Sequence, residues 1–236
     1  MLPIIKPLSD AERSHLGQAW AKRAQTEYLM GLRFDALTQA LRVHGTIPTV
    51  LQLCERAVGD AVKHSKLCAK VAKEFGIDAS VDQVMRPGPL APASLLVEQK
   101  VLYEVVAVAC VAQTYQGALL GRMYQGSKWP SVRLTANIML EDKIWQGRLG
   151  WAHLGAAVKR IDISWLDPLL LPMIQRAFEM AMSEAVPESF SRDDYGLFST
   201  ATCKTIMREA LSTVVLPGFE SFELAIDPAR KWVNAQ

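Results

Sequence analysis

The sequence predicts an all-α protein built on four long helices with one long crossover between the second and third, and three observations carry that prediction. No stretch alternates Val, Ile or Thr with polar residues between Asn-Gly or Asp-Gly turns, so the usual strand and hairpin signals are missing. Apolar residues recur instead at helical spacing over four extended segments. Finally, only one connection among those segments, GIDASVDQVMRPGPLAPA at residues 76–93, is long and rich in proline and glycine.

The first helix is expected to open at Ser9 or Asp10, where either side chain can cap and Glu12 falls in the first turn. Trp20, Ala24, Met30, Phe34, Leu37 and Leu41 follow at helical spacing, and Gly45 with Pro48 ends it. The second helix is placed at about Thr49–Phe75 and stops at Gly76. The third runs from about Ser94 to Tyr124 and is interrupted by GSKWP, and the fourth covers about Ser131–Arg160. At about 1.5 Å per residue each helix spans roughly 40 Å. A chain covering about 3.3 Å per residue lets the 76–93 segment run the length of such a helix set. Two further helical stretches come after these, WLDPLLLPMIQRAFEMAMSEA with kinks expected at Pro168 and Pro172, and STATCKTIMREALSTVVLPGF, which should stop near Pro217 and Gly218. The expectation is a single domain over 1–236, with a core at about 9–160 and packed helices at about 163–225.

Half of the 236 residues are apolar, enough for one large core. A formal net charge of +2 is nearly balanced and suggests neither a nucleic-acid protein nor an acidic tail. No run reaches about 18 uncharged apolar residues, the length of a membrane span, and the N-terminal stretch MLPIIKPLSDAERSH lacks the apolar run and small-residue site of a secretory signal. A cytoplasmic protein without nucleic-acid or membrane partners is expected. Cys54, Cys68, Cys110 and Cys203 form no C-x-x-C pair and sit in apolar helical contexts, which reads as buried free thiols. Phosphate-loop, dinucleotide, nucleophile-elbow and H-E-x-x-H motifs are all absent. The spacing of GALLG, residues 117–121, suggests close helix packing, and QGSKWPS offers either an exposed Trp129 or a loop capped by it.

The run WAKRAQTEYLMGLRFDALTQAL at 20–41, followed by CERAVGDAVKHSKLCAKVA at 54–72, resembles bacterial ferritin-like proteins with a diiron-carboxylate four-helix bundle. The resemblance covers about residues 15–160 and more loosely the tail with VVLP. In that family one Glu from each of two helices joins two Asp-Glu-x-x-His motifs, the second lying shortly before a Gly-Trp pair; the three-residue step puts Glu and His on one helix face. The resemblance implies Glu27 and Glu104 as the lone carboxylates. It keeps Asp60 and His64 in GDAVKH but places Ala61 where a bridging Glu belongs. In EDKIWQGRLGW it keeps Asp142, Gly150 and Trp151, while Lys143 and Gln146 stand for the Glu and the His.

A lysine ammonium repels a divalent cation but can offset carboxylates that would otherwise resist joint ionisation. Lys143 is therefore expected between Glu27 and Glu104, in an internal ion-pair cluster, with Asp60 and Asp142 as supporting acceptors or surface charges. The resemblance, with these replacements, implies a degenerate dimetal site without cofactor, in a non-catalytic scaffold or partner subunit of a homo- or hetero-oligomer with another helical protein. The alternative is a divergent oxidase or oxygenase acting on a small organic substrate. It would hold one Fe or Mn ion on Glu27, His64 and Glu104, or use a metal-free site near Tyr28 or Tyr103. A third expectation is a cavity for a small apolar ligand.

Overall fold

The computed structural model describes residues 8–80 and 87–236, and among them the protein is helical with no strand beyond two isolated bridges. Helix α1 (Asp10–His44) opens on a capping box: the Glu12 amide donates to Ser9 Oγ at 3.3 Å and the Ser9 amide donates to Glu12 Oε2 at 2.9 Å. It ends at Gly45, whose φ of 83° suits a residue without Cβ. Helix α2 (Pro48–Glu74) starts with its proline in the first turn, where no amide is needed. Pro130 opens α4 (Pro130–Ala157) in the same way.

Helix α3, residues 97–126, is not the uniform helix expected. Its α-helical ends, Val97–Val105 and Gln113–Gly126, flank a π-helical stretch at Val106–Ala112. Pro168 starts α5 (Asp167–Met182) where a kink was expected, and only Pro172 lies inside it. Residues 200–220 form α6, which continues past Pro217 because another π-helical stretch, Leu211–Val215, comes immediately before it. A proline ring cannot take an ordinary i−4 acceptor, and the wider turn accommodates that. The sequence reading missed α7 (Asp227–Asn234), which begins on Asp227-Pro228 and buries Ala229 and Val233.

The four long helices pack as two hairpins, α1 with α2 and α3 with α4, and α2 also lies along α4. Side-chain contacts fix the directions. Arg42 meets Glu55 and Glu27 meets His64 between α1 and α2, whereas Glu74 meets Trp129 and Cys68 meets Met139 between α2 and α4. Each of these neighbours therefore runs antiparallel. Residues 87–96 lie outside any helix between α2 and α3, and residues 81–86 of the expected crossover fall outside the described residues. No helix among the described residues is long and apolar enough to cross a membrane.

Two apolar clusters form the core. One includes Trp20, Ala24, Cys68, Phe75, Cys110 and Met139 and extends to α5, α6 and α7; the other includes Phe34, Leu37, Ala57, Val105 and Leu149. All four cysteines are buried and free. Trp129 packs on Phe75 and Tyr195 with ring centroids 5.6 and 5.3 Å away, and its Nε1 donates to Glu74 at 2.9 Å, so it caps the α3–α4 loop. Gly117 and Gly121 allow no close packing; a Cβ at either would meet open space, and both line a cleft of about 630 Å³ against α4 and α6.

His153 on α4 is 5% exposed and contacts Thr46 Oγ1 through Nδ1 at 3.0 Å. Burial, followed by the charge of Arg160, pushes its imidazole down from the ordinary 6.5 to about 4. The unfolded chain thus takes up this proton first as pH falls, and stability is lost progressively from about pH 6.5 towards about pH 4. Denaturant unfolding is expected to show about 2 kcal/mol less stability at about pH 5 than at about pH 7.5 from this group, and His153→Gln should flatten that part of the profile. An unchanged slope in the variant would assign the loss to other residues.

Candidate functional site

Between the two apolar clusters lies a layer of buried polar residues. Glu27 on α1, His64 on α2, and Asp142, Lys143 and Gln146 on α4 are each no more than 5% exposed. Helical spacing explains the placement: Glu27 follows Ala24 by three residues and His64 precedes Cys68 by four, so each shares the inward face of a core residue. Lys143 follows Met139 by four on the same principle.

The centre of the layer is an ion pair. Lys143 Nζ donates to Glu27 Oε2 at 2.8 Å, joining α4 to α1. His64 bridges the same carboxylate to a second one, with Nδ1 3.3 Å from Glu27 Oε2 and Nε2 3.0 Å from Asp142 Oδ2. Ionised carboxylates only accept, so a ring carrying protons on both nitrogens satisfies both contacts. Burial alone would raise the Glu27 pKa, but the charge of Lys143 and the hydrogen bond from His64 outweigh it and hold it down at about 2.

Asp142 connects this interior to solvent. Its carboxylate also takes Arg56 Nη2 at 3.2 Å and the ammonium of Lys63, both half-exposed residues of α2. Burial opposes its ionisation, yet Lys63 and His64 keep its pKa below the ordinary carboxylate value. Asp60, 9% exposed, sits beside the same cations, 3.4 Å from Arg56 Nε and 3.7 Å from Lys63 Nζ. Asp142 accepts from the His64 ring, and with Asp60 it forms the outer end of one network.

Glu104 does not join Glu27 and His64. It accepts from Arg33 Nη1 at 3.3 Å and from the amides of Leu90 and Ala91, the latter at 2.9 Å. The expected sharing of Lys143 between Glu27 and Glu104 is thereby corrected: the lysine serves Glu27, while an arginine on α1 and the backbone of the 87–96 segment take Glu104. Three-residue ligation of a metal by Glu27, His64 and Glu104 does not match these positions, and among the described residues no group of three or more His, Cys, Asp or Glu is arranged to hold a metal ion.

The other two replacements are also buried. Ala61 is fully buried at the α1–α2 contact, where its Cβ would stand 3.3 Å from a Cβ placed on Gly31, so its small size serves close helix approach. Gln146 is 2% exposed, and neither of its amide atoms has a hydrogen-bond partner among the described residues. Gln113 on α3 shares this condition at 1% exposure, and sequence reasoning did not single it out. Its only signal was a glutamine between the apolar VAVACVA and Tyr115.

Comparison of the chain with family models, curated proteins and solved structures finds no match.

Proposed function

We propose that this chain is a ferritin-like helical protein in which an ion-pair network takes the place of a dimetal centre, and that it serves without catalysis as a scaffold or partner subunit in an oligomer with a second helical protein. The observation that carries this reading is the Lys143 ammonium seated on Glu27 at 2.8 Å in the buried middle of the helices. A fixed positive charge on an interior carboxylate removes a hard-oxygen donor and repels a divalent cation at short range, where a low dielectric strengthens the effect. The antiparallel neighbours and the long α2–α3 connection support the architecture. Leu134, Ile144 and Trp145 of α4 are exposed apolar side chains, which supports association.

Elemental analysis of protein purified without chelators tests the proposal, together with light scattering on the same sample. Metal content well below one ion per chain is expected, together with a mass above that of the monomer or capture by a helical partner. Two fully occupied metal ions would overturn the metal-free centre, and a monomer that engages no partner would overturn the scaffold role.

A further inference from the structure

A second group of polar atoms without partners lies away from the Lys143 layer. Arg23 of α1 lies over the Trp20 ring, 4.5 Å from its centroid, and donates Nη2 to the Gly196 carbonyl at 3.4 Å. Its Nη1 is buried and has no hydrogen-bond partner among the described residues, and the same holds for Nε2 of His15, two turns earlier on α1. Both side chains line one open cavity of about 240 Å³, formed by α1, α3, the 183–198 segment and the start of α6. The remaining walls are largely apolar, with Leu119, Val186, Leu197 and Phe198 among them.

A guanidinium keeps its charge at any physiological pH, and a buried arm of it left without an acceptor costs more than a neutral donor would. The acceptors that match the planar guanidinium fork are carboxylates and phosphates. Lys22 and Glu184 also line the cavity with opposite charges, which leaves the single charge of Arg23 to be met by a monoanion. The apolar walls favour an organic body over a bare inorganic ion, because burying hydrocarbon away from water is favourable.

We propose that this cavity binds a small organic carboxylate, the carboxylate accepting from Arg23 Nη1 and His15 Nε2 while the hydrocarbon part lies against Leu119, Val186, Leu197 and Phe198. The site shares no residue with the Glu27–His64–Lys143 layer, so it stands whether or not that layer excludes metal.

Isothermal titration calorimetry of the full chain with octanoate, its neutral isostere octanamide and inorganic phosphate provides the test. Octanoate is expected to bind saturably with one site per chain, and octanamide at least about tenfold more weakly, the loss expected of one charge-assisted contact. Arg23→Gln should weaken octanoate to the octanamide level without changing octanamide. Equal affinity for octanoate and octanamide, no saturable octanoate binding, tighter binding of phosphate than octanoate, or unaltered octanoate binding by Arg23→Gln would each overturn the proposal. Should Arg23→Gln fail to fold by circular dichroism, the three titrations of the unaltered protein decide alone.

Discussion

Lys143→Met is expected to cost about 3–5 kcal/mol of stability, the range for removing one partner of a buried ion pair. Methionine roughly matches the length and volume of the lysine stem, so the loss comes from charge, because Glu27 would stay buried with His64 as its remaining contact. In the present chain the Glu27 pKa is held at about 2 against an ordinary 4.5. Its pairing therefore stabilises the fold above about pH 4.5, and that contribution is lost as pH falls towards about 2. Without Lys143 the burial that now opposes ionisation would dominate and lift the Glu27 pKa above its ordinary value, so the acid-side loss from this group should vanish and the variant should gain stability as pH falls. Urea unfolding near neutral pH measures the change, and the double variant Lys143→Met/Glu27→Gln should recover a large part of it by removing the uncompensated charge. A single-variant loss under about 1 kcal/mol, the scale of a surface pair, would show that the pair is effectively solvated.

Gly150→Val is expected to cost about 3 kcal/mol, the upper end for overpacking a core. A Cβ at this position would stand 2.6 Å from Cys110 Sγ, 2.8 Å from Ala109 Cβ and 2.8 Å from the Cys110 amide nitrogen. One of these neighbours is backbone within the π-helical stretch of α3, so rotating a side chain cannot relieve the contact. The helices α3 and α4 must separate or the π-helical turn must rewind, and either displaces α4, which carries Lys143. Thermal unfolding gives the size of the loss, and hydrogen exchange over 106–112 should rise with it. Protection unaltered there would place the cost elsewhere.

Where chemistry is local, the sequence was legible. Ser9 with Glu12, Gly45, and the prolines at 48 and 130 mark helix ends because caps and missing amides act over a few residues. The inward direction of Glu27, His64 and Lys143 was an implication of the family resemblance, and each also stands three or four residues from an apolar core position. Glu104 shows the opposite case. Its partners are an arginine on another helix and two amides of a non-helical segment, and no periodicity within α3 announces them. Ala61, which the resemblance places where a bridging Glu belongs, lies against Gly31 across the α1–α2 hairpin, a contact that no periodicity within α2 announces. The π-helical turns were invisible because VAVACVA and LSTVV differ little in composition from ordinary helix. The α7 helix was missed because it is short, although Asp227-Pro228 is a usable start signal.

The charged layer between two apolar clusters also sets the register of the helices. Sliding α4 along α1 by one turn, about 5.4 Å, would carry Lys143 into hydrocarbon and strand Glu27 without a cation. Apolar faces alone tolerate such slips, since one leucine can replace another in a groove. A single interior ammonium with one matching carboxylate does not, and so it selects one alignment among those that hydrophobic burial would accept almost equally.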